Sequence, residues 1–279
     1  MEKNYNCVSI VIVLYNPSKE DINNIRNLAN YYSGTIVDNS TVSHDIDSIG
    51  MMTYITNGRN LGIAQAQNIG IKHIMSQQAS QYIVFIDQDS RFPIDYPKRI
   101  SYEYQQLENK KIAILGPTVF NKDKNNEYKS IIHKYKTESN GFCERNHIIS
   151  SGSCISIKSL QEIGLLDSNL FIDFVDFEWC WRAKAKGYKC GITDRLSIYH
   201  KVGKRELNFG KYKVIVSAPQ RYFYQYRNYL WLIRRKYVPL QWKIATGIKF
   251  MLRLVYFPLC VKGGFACWRE MIKGIKAGI

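Results

Sequence analysis

Three apolar runs in the first ninety residues each stop at a cluster of polar side chains, and this repetition limits the possible folds more than any other feature. Val8–Leu14 has the composition of a strand buried on both faces, and Tyr15, Asn16 and Pro17 end it. Thr35–Val37 ends in Asp38, Asn39 and Ser40, and Tyr82–Ile86 ends in Asp87, Gln88, Asp89 and Ser90. Between these runs, Ile22, Ile25, Leu28 and Tyr32 recur at helical spacing before Gly34, and Ile63, Ala66, Ile69 and Ile74 do so after the turn Asn57–Gly62. Met51–Ile55 reads as a further strand, 96–107 as a helix and 112–115 as another strand. Buried strands alternating with amphipathic helices predict an α/β fold with a mostly parallel sheet flanked by helices. Ligands of such sheets bind outside the carboxyl ends of the strands, so Asn16, Asp38 and the Asp87/Asp89 pair are expected around one crevice.

Beyond this half, residues 121–146 are polar and aperiodic and read as a loop excursion. Order resumes at Ile148, where Ser150–Ser153 leads into the apolar Cys154–Ile157. Phe171–Asp176 opens a helix that runs to about Gly187, a natural C-terminal stop. The chain's 279 residues suffice for one large core with a small appended module. Met1–Asn6 is polar and the first apolar run is shorter than a leader's core, so that run is expected to be a strand. Seven cysteines without a CxxC pair argue against a disulfide framework or a zinc knuckle, and fit a reducing cytosol. The net charge is +16, and from Arg221 onward twelve Lys or Arg face the single Glu270, so this tail holds +11 of it. Such asymmetry points to an anionic surface, nucleic acid or acidic lipid.

Two constellations suit chemistry. Asp87 and Asp89, just past a buried strand, are hard oxygen ligands of the kind Mg²⁺ or Mn²⁺ shares with substrate phosphates, although Asp89 or Ser90 equally suits a turn cap before Pro93. Asp173, Asp176 and Glu178 lie among Phe171, Phe174, Phe177, Trp179 and Trp181. An acid in a first helical turn ordinarily serves the helix dipole, yet aromatic walls desolvate a carboxylate, raise its pKa and suit it to act as a general base. His200 suits a metal ligand, a phosphate partner or a structural strand end. The Asn57–Gly62 turn opens a helix whose N–H groups suit an anion, without a Walker or GxGxxG pattern.

Taken together, Val11–Asn16, Val37–Ser40, Asn60–Asn68, Ile86–Ser90 and Phe171–Arg182 resemble the family 2 inverting glycosyltransferases of GT-A fold. The nearest resemblance is to bacterial rhamnosyltransferases of O-antigen and cell-wall polysaccharide assembly, through Ser151–Ser153, Phe171–Trp179, His200 with Gly203, and Arg221–Asn228. The resemblance spans about Val8 to Asn228. It implies that Tyr15, Asn16 and Asp38 hold the nucleoside, that Arg59 and Asn60 lie along the nucleotide, and that Asp87 and Asp89 form a DxD motif. In that motif Asp87 meets the ribose and Asp89 ligates Mg²⁺ or Mn²⁺, with His200 as a second metal ligand. Asp176 falls at the catalytic aspartate, and Asp173, Glu178 and Trp179 are expected on the acceptor side. Two departures stand out. Val175 replaces the glutamate that often precedes the catalytic aspartate, and the QxxRW motif of processive synthases is absent, which implies one or a few additions per encounter.

The expected organisation is a catalytic domain over 1–217, divided into a nucleotide-sugar and metal half (1–115) and an acceptor and base half (116–217), followed by a basic helical extension over 218–279. In that extension Lys249 and Arg253 interrupt the longest apolar stretch, so an interfacial helix is expected in place of a spanning one. The alternative is a domain-capping helix pair with a solvated basic face. The expected partners are a dTDP- or UDP-sugar, a lipid-linked saccharide acceptor and an anionic membrane surface, at the cytoplasmic face of the plasma membrane. A UDP-hexose donor is the alternative within the enzyme class. A nucleic-acid-binding module, suggested by Tyr222, Tyr224 and Tyr226 among Arg221 and Arg227, leaves the acids without a role.

Overall fold

Alternate residues of the first strand, β1 (Val8–Leu14), part to two faces of a sheet, and each face is covered by helices. Ile10, Ile12 and Leu14 pack under α1 (Lys19–Ala29), whereas Val11 packs beneath Ile71 and Ile74 of a second helix on the other side. This computed structural model describes residues 8–44, 46, 49–107, 110–121, 137–200, 206–209 and 212–279. In chain order there follow β2 (Gly34–Asp38), β3 (Met52–Thr56), α2 (Ile63–Gln77), β4 (Tyr82–Asp87), α3 (Tyr96–Gln105), β5 (Ile112–Asn121), β6 (Phe142–Glu144), β7 (Cys154–Ser156) and α4 (Ile157–Ile163). A 3-10 turn (Ser168–Leu170), α5 (Val175–Ala185), β8 (Lys189–His200), β9 (Glu206–Phe209), β10 (Tyr212–Ile215), α6 (Pro219–Ile233), α7 (Leu240–Cys260) and α8 (Gly264–Gly278) complete it.

The large sheet has the order β3-β2-β1-β4-β7-β5-β8-β6. β1, β2, β3 and β4 run parallel, as do β5 and β8, while β7 lies antiparallel between β4 and β5 and β6 pairs antiparallel with β8. The expected mostly parallel sheet is therefore present, with short antiparallel insertions that composition did not reveal. Part of the 121–146 excursion departs from its reading as a loop: Phe142 and Cys143 are buried in β6, because one edge of β8 needs backbone partners. Residues 122–136 of that segment, and Gly203, lie outside the described residues.

Register aligns the strand ends that matter. Leu14 pairs with Asp38 and Val13 with Asp87, so the polar clusters after β1, β2 and β4 emerge side by side. On one side of the sheet Tyr96, Ile100 and Tyr104 of α3 join α1; on the other, Leu160 and Ile163 of α4 and Trp179, Cys180 and Ala183 of α5 join α2. The C-terminal helices form their own aromatic core around Tyr222, Tyr226, Phe250, Phe257 and Met271. A further cluster of Leu170, Val175, Trp181, Leu232 and Val238 seats α6 against α5. Within the C-terminal group α6 and α8 pack closely: a Cβ on Gly274 would lie 2.3 Å from the Phe223 carbonyl oxygen. Among the described residues no helix is long and apolar enough to cross a membrane.

Candidate active site

The crevice is built by side chains that tie the strand ends to one another. Gln88 bridges β4 and β1, its Oε1 accepting from Tyr15 N–H at 2.7 Å and its Nε2 donating to the Tyr15 carbonyl at 3.2 Å. Asn16 turns with φ 47° and donates its N–H to Ser40 Oγ at 2.8 Å, and Asn39 N–H donates to the Leu14 carbonyl at 2.8 Å. Asn39 reaches across to the next loop, donating to Asn60 Oδ1 at 2.8 Å and accepting from Leu61 N–H at 2.8 Å. Gly62 N–H donates to Asn60 Oδ1 at 2.9 Å, so the N–H groups of Leu61 and Gly62, a candidate anion cradle by sequence, are held by side chains.

Asp38 lies beneath this rim. It is fully buried, with Oδ1 accepting from Ser40 N–H at 2.9 Å and Oδ2 accepting from Tyr54 Oη at 2.6 Å and from His44 N–H at 3.2 Å, with His44 Nδ1 at 2.9 Å. Burial acts to raise its pKa, but the hydrogen bonds from Tyr54, Ser40 and His44 outweigh it and hold the carboxyl below its ordinary value. Such an aspartate shapes the loop above it, at the edge of the crevice. Tyr15 is half exposed, Arg59 is exposed, and Asn60 is partly buried at the crevice edge.

The acidic turn after β4 carries Asp87, partly buried, and Asp89, exposed. Ser90 Oγ lies 3.2 Å from Ser151 Oγ, and Arg91 reaches back from the turn to Asp21 at 3.2 Å. Asp21 and Ser18 form the reciprocal capping box of α1, so the start of that helix also anchors the turn. Ser151 belongs to a tight loop fixed to β4: Gly152 N–H donates to the Phe85 carbonyl at 2.8 Å, Phe85 N–H to the Ser153 carbonyl at 3.0 Å, and buried Tyr96 Oη to the Gly152 carbonyl at 2.6 Å. The neighbouring Ser150 lies close enough that its N–H acts to lower the Asp176 pKa. Two serines in sequence thus lie between the acidic turn and the carboxylate at the start of α5.

Asp176 occupies the second position of α5, where the helix dipole favours the ionised form, and Phe177 N–H donates to its Oδ1 at 3.0 Å. Burial nevertheless dominates, and with the nearby Asp173 charge it pushes the carboxyl up to about 6 against the N–H groups of Phe177, Asp176 and Ser150. Asp173 is gripped by Arg221, whose Nε and Nη2 donate to both carboxylate oxygens at 2.8–3.0 Å. The segment carrying these acids is strained: Phe171, Asp173 and Phe174 have φ of 63°, 65° and 65°. Each non-glycine residue held there costs on the order of 1–3 kcal/mol. Phe171 also touches the donor half, since Ala64 N–H donates to its carbonyl at 3.4 Å and a Cβ on Gly62 would lie 2.5 Å from that oxygen.

Two expected acceptor residues are placed elsewhere. Glu178 is buried and engaged by Arg182 at 2.9 Å, Arg235 at 3.2 Å and Tyr237 Oη at 2.6 Å, which fastens α5 to the end of α6. Trp179 is buried in the core on the α2 side, its indole N–H donating to the Gly164 carbonyl at 2.8 Å. Trp179 lies on the face packed on the sheet, whereas Glu178 lies on the neighbouring face turned to the end of α6. His200 ends β8, and its side chain lies outside the described residues. Sequence reading missed Ser150 and Asn228 as contributors. Asn228 donates to the Leu170, Ile172 and Asp173 carbonyls, contacts that leave no periodic signal.

With this geometry in view, comparison with known proteins decides the family. The glycosyl transferase family 2 model matches residues 9–164, more than half of the chain. The chain belongs to glycosyltransferase family 2. It is 34% identical over 248 residues to the dTDP-rhamnosyl transferase RfbF of Shigella flexneri, covering 82% of this chain and 81% of that one. A hexosyltransferase of low-salt glycan biosynthesis, Agl10 of Haloferax volcanii, is 22% identical with 77% and 74% covered. Among solved structures, S. aureus TarS residues 1–349 with UDP-GlcNAc superposes with a TM-score of 0.58 at 14% identity, covering 98% of this chain and 82% of that one. GalNAc-T7 with UDP, GalNAc and Mn²⁺ gives 0.54 at 14% identity, and this chain spans about half of its length. These likenesses give the family 2 chain its GT-A fold and make it an enzyme of the glycosyltransferase class.

Proposed function

We propose that this family 2 enzyme transfers L-rhamnose from dTDP-β-L-rhamnose to a hydroxyl of a lipid-linked saccharide at the cytoplasmic face of the plasma membrane. The observation that carries the reading is the desolvated Asp176 next to Ser150, whose neighbour Ser151 lies against Ser90 of the acidic turn. The similarity to the Shigella flexneri rhamnosyl transferase over four fifths of both chains favours the donor. Asp176 takes the proton from the acceptor hydroxyl as that oxygen bonds to the anomeric carbon, and the bond to the dTDP oxygen breaks on the opposite face. Configuration inverts in this one displacement, and the electron pair leaves with the diphosphate. Tyr15, Asn16, Arg59 and Asn60 line the nucleotide side, with Asp38 supporting them from beneath.

Asp87 and Asp89 fit a hard divalent cation, Mg²⁺ or Mn²⁺, because the turn presents carboxylate oxygens, those of Asp89 exposed. When bound, such an ion supplies charge stabilisation for the departing diphosphate.

The membrane partner is argued from α7. Leu240, Ile244, Ile248, Met251, Leu252, Val255 and Leu259 recur at three- and four-residue spacing, and each is more than half exposed. Phe265, at the start of α8, extends the ridge. Exposed Lys236, Lys249, Lys262 and Arg269 lie among or beside these residues in a tail with a single acid. An apolar ridge framed by cations fits the surface of an anionic bilayer, with the ridge in the acyl boundary and the cations at headgroups. The opposite face of α7 reaches the crevice side through Trp242, whose ring meets Phe174 and Trp181 of the acceptor half. A lipid-linked acceptor lying in that bilayer is thereby brought near the base.

The donor assignment is tested by measuring thermal stabilisation and slow donor hydrolysis across dTDP- and UDP-sugars, with and without Mn²⁺ or Mg²⁺. A metal-dependent response to dTDP-β-L-rhamnose alone is expected; a response confined to a UDP-hexose overturns the donor and keeps the enzyme class.

A further inference from the structure

We propose that Asn228, oriented by Arg227, is a positioning residue that holds the strained segment 170–174 in the shape that seats Asp176 in the crevice. The inference rests on Asp176 being the base, and it concerns side chains on α6, an element outside the matched family segment.

Asn228 is fully buried, and its amide nitrogen lies 2.8 Å from the Leu170 carbonyl, 2.8 Å from Ile172 and 3.1 Å from Asp173. Two amide protons are thus shared among three carbonyls of one short segment. The orientation of the amide follows from its other side. Arg227 Nε and Nη2 approach Asn228 Oδ1 at 3.1 and 2.9 Å, and a guanidinium can only donate, so the oxygen faces Arg227 and the nitrogen faces the segment. Arg227 is itself fixed by donation to the Asn169 carbonyl at 2.8 Å and by the Trp231 ring, 4.3 Å below its guanidinium.

The need for a clamp comes from the backbone. Phe171, Asp173 and Phe174 all sit at positive φ, and no glycine relieves them. A segment with that cost relaxes unless its surroundings over-determine it. Asn228 fixes its carbonyls from α6, and Arg221, two turns earlier on the same face, fixes the Asp173 side chain. Asp176 follows immediately, with Phe174 as the residue that caps its helix. Relaxation of 170–174 would therefore move Asp176 relative to Ser150, and a displacement of about 1 Å at a reacting group costs on the order of 10²-fold in rate.

The test uses the full-length enzyme and the nucleotide sugar selected by the donor panel, dTDP-β-L-rhamnose on the reading above, with water as acceptor. Asn228→Asp keeps the shape but turns an oxygen toward three carbonyl oxygens, and Arg227→Met removes the donors that orient the amide together with those to the Asn169 and Leu170 carbonyls. The expected result is a fall in kcat of about 100-fold for Asn228→Asp and about tenfold for Arg227→Met. Donor Kd should stay within about twofold of wild type, and the acidic limb of the pH–rate profile should move below its wild-type position as water reaches Asp176. Melting curves and donor Kd establish that each variant is folded. A folded Arg227→Met enzyme with unchanged kcat, or a loss of kcat with the acidic limb unmoved, overturns the positioning role. Full activity in Asp176→Asn would instead remove the base on which it acts, so the two failures are told apart.

Discussion

At the scale of single residues, the proposed chemistry rests on Asp176, whose carboxyl burial pushes up to about 6. Asp176→Asn should leave donor Kd unchanged and lower kcat by about 10²–10⁴-fold, read by single-turnover kinetics. Because the base must be ionised, wild-type kcat should fall as pH drops through about 6. The same shift has a stability consequence of opposite sense to most aspartates. A folded-state pKa raised from 3.8 to about 6 means that ionisation opposes folding above pH 6, and that this penalty vanishes below about pH 4. Asp176→Asn should therefore be more stable than wild type at pH 7.5, by up to about 3 kcal/mol, with the difference disappearing at pH 4 in denaturant titrations. A desolvated acid among aromatics at a helix start was legible in the sequence; the choice of Asp176 for the proposed base came from the family resemblance. Glu178 and Trp179 were not separable from it by composition. Only the helix phase, which turns them into the core and toward Arg235 and Gly164, distinguishes them. Asp38 was legible as an important acid, but its burial beneath Tyr54 and His44 depends on a loop fold that no local pattern encodes.

Elements make the crevice by meeting edge to edge, and Gly62 is where the donor half touches the acceptor half. It adopts φ 80°, and a Cβ there would lie 2.5 Å from the Phe171 carbonyl oxygen and 2.6 Å from its ring. Gly62→Ala should cost at least about 1 kcal/mol from the backbone conformation alone, with a further loss from displacing Phe171. Its melting temperature should fall and kcat should drop more than donor affinity, whereas Gly58→Ala, at a positive φ with open space around it, should show only the backbone cost. Strands β1, β2 and β4 and helices α1, α2 and α3 were readable because a buried strand leaves a continuous apolar run and an amphipathic helix leaves a 3.6-residue period. β6 and α4 were not, since three-residue pairings and a seven-residue helix are too short to establish a period. The α6 clamp was equally hidden. Asn228 recognises carbonyls 55 to 58 residues away, and backbone acceptors carry no residue identity.

For the whole molecule, the proposed membrane role of the bare α7 ridge, apart from the crevice at the strand ends, predicts that liposome capture and catalysis can be altered independently. Replacing Ile248 and Val255 by Asp should reduce sedimentation with anionic liposomes by about tenfold or more, while donor hydrolysis in solution stays unchanged. Raising salt should weaken binding only in part, since apolar burial is insensitive to screening. Equal retention of wild type and this variant on anionic liposomes would remove the ridge from the account. The basic tail was evident from charge alone, but the division of labour within it was not. α6 packs on α5 and α8 packs on α6, whereas α7 carries most of the exposed apolar ridge among the described residues. The most direct test of the central claim is the metal-supported single-turnover hydrolysis of dTDP-β-L-rhamnose by wild type and Asp176→Asn, followed by NMR of the released sugar. Wild type is expected to give α-L-rhamnose, inverted at the anomeric carbon, at a rate at least about 100-fold above that of Asp176→Asn. Release of the β-anomer, or equal rates from the two proteins, would contradict inversion with Asp176 as the base.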